Sequence, residues 1–339
     1  MEAREIVQPT LLCDRNGRLS EDSIGWSRHP VIACNVTGSP LRKKKWNYWC
    51  VTSPEALFSA TISNIDYAAV LFVYVLDLKT KQFKEKTTLI PFGIGCGMPD
   101  EVNASVRYDS KELSIAFTEE GQATNIFVHI PNFDGNDKPL SATIKVRRPP
   151  GHETLNVVIP WSKKRYQFTS KATAMPASGT IDWNGKKYSL TEGDAFGCLD
   201  FGRGKWPYHA VWNWGAASGV TDGRTVGLNF GGQWTDGTGQ TENGVVVDGV
   251  LTKIHEDMLW VYDKQNFMEP WRLTTSQSDQ VELTFVPMFE RIAATKAVVI
   301  RSEVHQMIGT YHGYITTHEG ERVTIDGLLG WAEDHIASW

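Results

Sequence analysis

Alternating polar and apolar segments rich in Val, Ile, Thr, Tyr and Phe, cut at short intervals by Gly, Asn, Asp and Pro, run along most of this chain. Helical periodicity is scarce. A step of two residues turns successive side chains to opposite faces, so the pattern commits the backbone to sheets. Residues 69–78 and 83–90 read as a hairpin with one strand largely buried, and 113–117 with 125–130 repeat that design around Glu119-Glu120-Gly121. Asn184-Gly185, between Ile181-Asp182-Trp183 and Tyr188-Ser189-Leu190, specifies a type I′ turn, because both central positions need positive φ. Further strands are expected at 224–230, 245–250, 252–254, 258–262, 281–286, 298–303 and 305–316. The tail 328–339 reads as a short helix or a final strand that docks through Trp331 and Trp339. The fold class is all-β, with strands spaced closely enough for barrels or sandwiches.

A chain of 339 residues exceeds what one core usually organises, so two domains are expected. Arg147-Arg148-Pro149-Pro150-Gly151 marks the seam, since consecutive prolines cannot join a central ladder. This gives an N-terminal β domain over 1–148 and a C-terminal barrel-like domain over 149–339. The formal charge of -5, with 34 basic and 39 acidic residues mixed along the chain, leaves no footprint for nucleic acid or an anionic membrane. The single basic run, Arg42 to Lys45 ahead of Trp46 and Trp49, suits a solvated strand start better than a polybasic anchor with an aromatic wedge. Five cysteines without C-x-x-C spacing fit a reducing compartment. With no hydrophobic leader and no segment long enough to span a bilayer, a cytoplasmic location without membrane insertion is expected.

The stretch 200–243 is different in kind. Trp206, Trp212, Trp214 and Trp234 are crowded there among glycines that an ordinary buried strand pair would avoid. In a small barrel, glycine opposite tryptophan leaves room for a ligand; the structural alternative is that the glycines mark bulges and corners. Polar residues among the indoles favour a pocket, with Arg203, Tyr208, Trp212, Asn213, Trp214, Asn229 and Trp234 as candidate binding residues. Arg203 could instead brace Asp200. A carboxyl group among tryptophans is kept protonated by desolvation, which makes Asp236 and Glu242 candidate proton donors; His209 is a candidate acid or base. Turn 221–224 should fold the His209 region back onto 229–236. His152 and Glu153 open the second half, either facing the cavity or capping the seam.

No G-x-S-x-G, P-loop, H-E-x-x-H or dinucleotide fingerprint is present, and no metal ligand set or cofactor is expected. The runs 152–162, 200–215 and 234–244 resemble those of a family known as domain of unknown function 2804, over about Trp46 to His335. More distantly, the strand pattern resembles lipocalin-like two-domain proteins that include carotenoid hydratases and kievitone hydratase. That resemblance implies two lipocalin-like β-barrel or sandwich domains packed together, with a hydrophobic cavity. It also implies an acid that protonates an alkene beside aromatic walls, a role carried over by type and order to Asp236, with His209 and Trp212 near it in sequence. Three readings follow: a cofactor-independent lyase, hydratase or isomerase acting on a terpenoid, lipid or polyketide-like molecule; a non-catalytic carrier of such a molecule; and a carbohydrate-active enzyme.

Overall fold

The computed structural model describes residues 2–297 and 300–338, and nearly every element is a strand. Val298 and Val299, which open one expected strand, and Trp339, expected to dock the tail, lie outside the described residues. Two antiparallel sheets dominate. The first runs in the order Phe83–Pro91, Ala68–Asp77, Ala56–Asn64, Lys44–Thr52, Phe196–Lys205, Arg165–Trp183, Leu140–Arg147, Ala123–Ile130, Ser114–Glu120, Val106–Asp109, with three short strands alongside. The second runs Val250–Ile254, Asn243–Val247, Arg224–Gly232, His209–Thr221, Arg322–Ser338, Ile300–Thr316, Val281–Ala297, Trp271–Thr275, Met258–Val261. Each is curled into a half-barrel, as the lipocalin-like expectation required.

Local sequence explains most of the turns. Asn184 and Gly185 take φ of 51° and 75° and join Trp183 to Lys186 in the expected I′ hairpin. Strand His209–Thr221 pairs with Arg224–Gly232 across Asp222-Gly223, which brings Asn213 opposite Gly232. A strand was expected over 245–250, but the chain turns at Asp248-Gly249, a second Asp-Gly pair with both φ positive. The tail is a strand, Arg322–Ser338, between His209–Thr221 and Ile300–Thr316.

The run Arg147–Gly151 leaves strand Leu140–Arg147, as its prolines dictate, yet the chain stays in the same sheet. Strands Leu155–Ser162, Arg165–Trp183 and Phe196–Lys205 follow it there, and the sheet changes at Trp206–Tyr208. Strand Arg165–Trp183 is long enough to serve two neighbourhoods. A bulge between Ala172 and Met175, with Ala174 at φ 57°, turns its first half toward Phe196–Lys205 and its second toward Leu140–Arg147. Each half-barrel closes on a core of its own, one around Trp49, Phe58, Phe117 and Phe168, the other around Phe230, Trp271, Phe285 and Tyr311. A third cluster, with Tyr48, Tyr74 and Cys198 from one sheet and Trp214, Ile308 and Trp331 from the other, joins them.

Candidate functional site

Each half-barrel has a core of packed apolar side chains, and among the described residues an open space lies between the sheets. There a cavity of about 240 Å³ is lined by Trp46, Phe72, Lys171, Asp200 and Trp206 from the first sheet and its exit, and by Trp212, Trp214, Trp234, Glu242, Arg291, Gln306, Glu333 and His335 from the second half. Its aromatic wall is fixed in place. Trp206 stacks on Trp234 with centroids 5.0 Å apart and lies 5.5 Å from Trp212 and 6.0 Å from Trp46. The Trp206 indole N–H donates to Gln167 Oε1 at 2.7 Å, and that of Trp161 to the Trp234 carbonyl at 2.8 Å.

A buried ionic cluster sits in this wall. Lys171 Nζ lies 2.9 Å from Asp200 Oδ1 and 3.2 Å from Glu242 Oε2, and 4.2 Å from the centroid of Trp214, whose face it occupies. Glu242 Oε1 accepts the Trp234 indole N–H at 2.6 Å, while Oε2 has the lysine beside it but no hydrogen bond of good geometry. Burial, offset in part by Lys171, pushes the Glu242 carboxyl up to about 7. Burial also works against the charge of Lys171, but Asp200 and Glu242 outweigh it and hold the ammonium above its ordinary value. Charge balance accounts for both shifts. One lysine against two carboxylates leaves a surplus negative charge out of water, and a proton on Glu242 removes it. Behind Glu242, Lys253 donates to Thr241 Oγ1 and to the carbonyls of Ile254 and Asn243; burial lowers it to about 7.

A second hydrogen-bonded network forms the other side. Tyr48 and Tyr74 share a hydrogen bond of 2.8 Å, Tyr74 donates to Gln306 Oε1 at 2.9 Å, and Gln306 Nε2 to Glu333 Oε2 at 3.2 Å. Glu333 Oε1 accepts the Trp212 indole N–H at 3.1 Å. His335 bonds Ser302 at 2.8 Å, its ring 3.9 Å from that of Trp212, and Arg291 pairs through two 2.9 Å bonds with Glu85.

The glycines serve a purpose other than the expected one. A Cβ on Gly202 would overlap the Trp46 ring, one on Gly231 would overlap the Glu242 carboxyl, and those on Gly215 and Gly232 would meet Tyr311 and Trp260. They make room for side chains of neighbouring strands, not directly for a ligand. Glu242 reaches its position because Gly231 has no side chain.

The candidate residues divide. Glu242, Trp212, Trp214 and Trp234 line the cavity. Asn229 is behind it, accepting the Trp214 indole N–H at 2.9 Å and donating to the Glu242 carbonyl at 2.6 Å. Asn213 is turned the other way, donating to Tyr262 OH and the Glu333 carbonyl. Asp236 and His209 share a second, more open hollow with Trp161 and Gln233, and Trp234 lines both this hollow and the cavity between the sheets. Asp236 accepts the Gln233 N–H as a turn residue does; burial, then Asp257, raise its carboxyl. His209 is exposed and bonds Ser338, and Tyr208 is exposed beside the same turn. Arg203 points to the opposite face of its strand from Asp200. Fully buried, it donates to the carbonyls of Pro99 and Trp46 and to Asn47, and so does not brace Asp200. His152 donates from Nε2 to the Thr173 carbonyl, and Glu153 pairs with Arg28, away from the cavity.

Lys171, Glu333 and His335 escaped sequence reading. Lys171 looks like an ordinary polar residue in a mixed strand. Glu333 and His335 lie in the tail that was expected only to dock, although Trp331 beside them was a signal of burial. Among the described residues no cluster of His, Cys, Asp or Glu is arranged as metal ligands would be, and all five cysteines are buried and free. Among the described residues no helix is long and apolar enough to cross a membrane.

Known proteins share this architecture. The family described as Domain of unknown function (DUF2804) matches residues 3–339. No curated protein matches the chain in sequence. An AttH-like protein of Nitrosomonas europaea superposes with a TM-score of 0.53 at 12% identity, covering 87% of this chain and 92% of its own. CghA, solved with Sch210972, superposes with 0.52 at 10% identity, covering 89% and 90%. Kievitone hydratase from Nectria haematococca is more distant, at 0.45 and 8% over 88% and 89%. At such identities the likeness is one of fold.

Proposed function

The chain belongs to the DUF2804 family, and on that premise we propose that it is a cofactor-independent lyase or isomerase that transfers a proton from Glu242 to an unsaturated, largely apolar small molecule held between its half-barrels. One observation carries this reading: a carboxyl group in the cavity wall, raised to about 7, with a cation beside it. At neutral pH Glu242 is poised between its two forms, as a general acid must be. While Glu242 holds its proton, Asp200 balances the charge of Lys171; once the proton has left, Lys171 stabilises the new carboxylate. The indole faces of Trp206, Trp212 and Trp234 steady the cation that develops on the substrate. Addition of water to that cation, with the surplus proton returned to the protein, completes a hydration; loss of a proton from a neighbouring carbon completes an isomerisation. The fold suits a small-molecule site, since CghA shares it and was solved with Sch210972.

The test begins without a substrate. The carboxylic-acid C=O band in an infrared pH titration should contain a component that titrates near 7 and disappears in Glu242→Gln. Native mass spectrometry of protein purified from its source should show an apolar adduct. Glu242→Gln should retain that adduct and lose its turnover by at least about a hundredfold; retained turnover would remove Glu242 from the reaction, and an adduct unchanged by prolonged incubation with wild type would favour the carrier.

A further inference from the structure

One rim of the first sheet gathers features that are scattered in sequence. The registers align the strand ends Arg165, Lys205, Lys44, Asn64, Ala68 and Pro91 along this edge. Adjacent strands are about 4.8 Å apart, so the row spans some 25 Å. The connections that leave it carry exposed apolar side chains: Leu41, Phe92 and Ile94, the last two 75% and 71% exposed. Leu41 and Phe92 hold φ of 64° and 57°, a left-handed conformation that bulky residues seldom adopt and that glycine or asparagine would fill at less cost.

Basic residues surround them. Arg42 and Lys43 follow Leu41, and Lys164 and Arg165 occupy the turn at the far end of the row. Arg15 and Arg18 are brought in by Gly17, whose carbonyl accepts Lys205 Nζ at 2.7 Å and Tyr166 OH at 3.1 Å. Most acidic groups on this edge are engaged locally, while Asp22, beside Glu21, is exposed. Asp66 pairs with Lys43, Glu21 with Lys163 and Asp100 with Lys45, and Asp14 accepts the N–H groups of Asn16 and Arg18; Glu101 is exposed beside Asp100. The run Arg42–Lys45 is therefore not uniformly solvated: Lys44 turns inward to the cavity, and its neighbours stay on the rim.

The cavity reaches this edge. Lys44, Ser63, Ile65 and Val70 line it at their strand ends, and the exposed Leu89 lies opposite Val70 in register and so on the same face. We propose that this rim docks on an anionic lipid surface, with Leu41, Phe92 and Ile94 entering the headgroup layer, the arginines and lysines contacting phosphates, and the cavity mouth facing the bilayer. An apolar ligand then passes between membrane and cavity without crossing water. The net charge of -5 belongs to the chain as a whole and conceals this local balance.

Flotation of the intact protein with vesicles tests this. Vesicles of phosphatidylcholine containing about one-third phosphatidylserine should bind at least tenfold more protein than phosphatidylcholine alone, and raised salt should release it. Arg42→Gln with Lys164→Gln should weaken binding roughly fivefold per charge removed. Phe92→Ser with Ile94→Ser should weaken it comparably, with unchanged thermal unfolding, while Val261→Ser, exposed on the second sheet, should not. Absence of binding to anionic vesicles at low salt, equal binding to both vesicle types, or full binding by the rim variants overturns the proposal. Glu242→Gln should bind vesicles as wild type does, so failure here leaves the assignment of the acid untouched.

Discussion

Glu242 is where side-chain identity decides most. Its raised carboxyl links folding to pH with a definite sign. Between about 4.5, its ordinary value, and about 7, the folded protein holds a proton that the unfolded chain has released, so stability falls as pH rises through that window. The loss is on the order of 3 kcal/mol. Glu242→Gln, a neutral isostere, should abolish that slope and be the more stable protein at pH 8 in urea unfolding. Lys253 acts in the opposite sense: lowered to about 7, it binds fewer protons folded than unfolded, so its contribution grows as pH rises from about 7 to 10.5. Lys171→Met removes the ammonium that pairs with both Asp200 and Glu242 and should cost about 3–5 kcal/mol, with the Glu242 titration moving further up. Gly231→Ala would place a methyl group on the Glu242 carboxyl. A destabilisation of about 1–3 kcal/mol is expected, together with a displaced Glu242 titration, which an overpacked site remote from the carboxyl would not produce.

Among the elements, strand Arg165–Trp183 decides how the two sheets meet. Its first half presents Thr169 and Lys171 to the cavity, and its bulge presses Thr173 and Ala174 against the second sheet, where Gly227 has no side chain to obstruct them. The bulge frees one backbone group from the ladder, and the Ala174 N–H donates instead to Ser218 Oγ at 2.8 Å. Ser218→Ala should leave that buried donor unpaired at a cost of about 1–3 kcal/mol, measured by equilibrium unfolding. The hairpin across Asp222-Gly223 has the complementary task. It sets Trp214 beside Gly231 in register, so that a strand with alternating faces delivers Trp212 and Trp214 to the cavity and turns Asn213 away.

For the molecule as a whole, the shared cluster of Tyr48, Tyr74, Trp214, Ile308 and Trp331 makes separation of the half-barrels expensive, because each would expose indole and phenol surface now buried by the other. Calorimetry should therefore show one cooperative transition. Chain cuts should discriminate further. A fragment ending at Arg148 leaves Lys44–Thr52 without its partner Phe196–Lys205 and should remain unfolded, whereas one ending at Trp206 retains the strand pairs of the first sheet and should show sheet structure by circular dichroism. The same arrangement explains why the cavity lies at the seam: two curved sheets in contact touch closely along one line and diverge on either side of it.

The sequence by itself determined what depends on neighbours along the chain. Strand periodicity gave the all-β class, Asn184-Gly185 and Asp222-Gly223 gave their hairpins, and the crowding of Trp206, Trp212, Trp214 and Trp234 indicated one side of the cavity. Alternation could assign residues to two faces but could not tell which face would be covered. Only the tertiary structure placed Lys171 between Asp200 and Glu242, set Asp236 and His209 in a separate hollow, and brought Glu333 and His335 from the tail to the opposite wall. The reason is physical. A carboxyl group acquires its proton affinity from burial and from charges within a few ångströms, and in a protein of long-range strand pairs those charges come from parts of the chain that no local pattern connects.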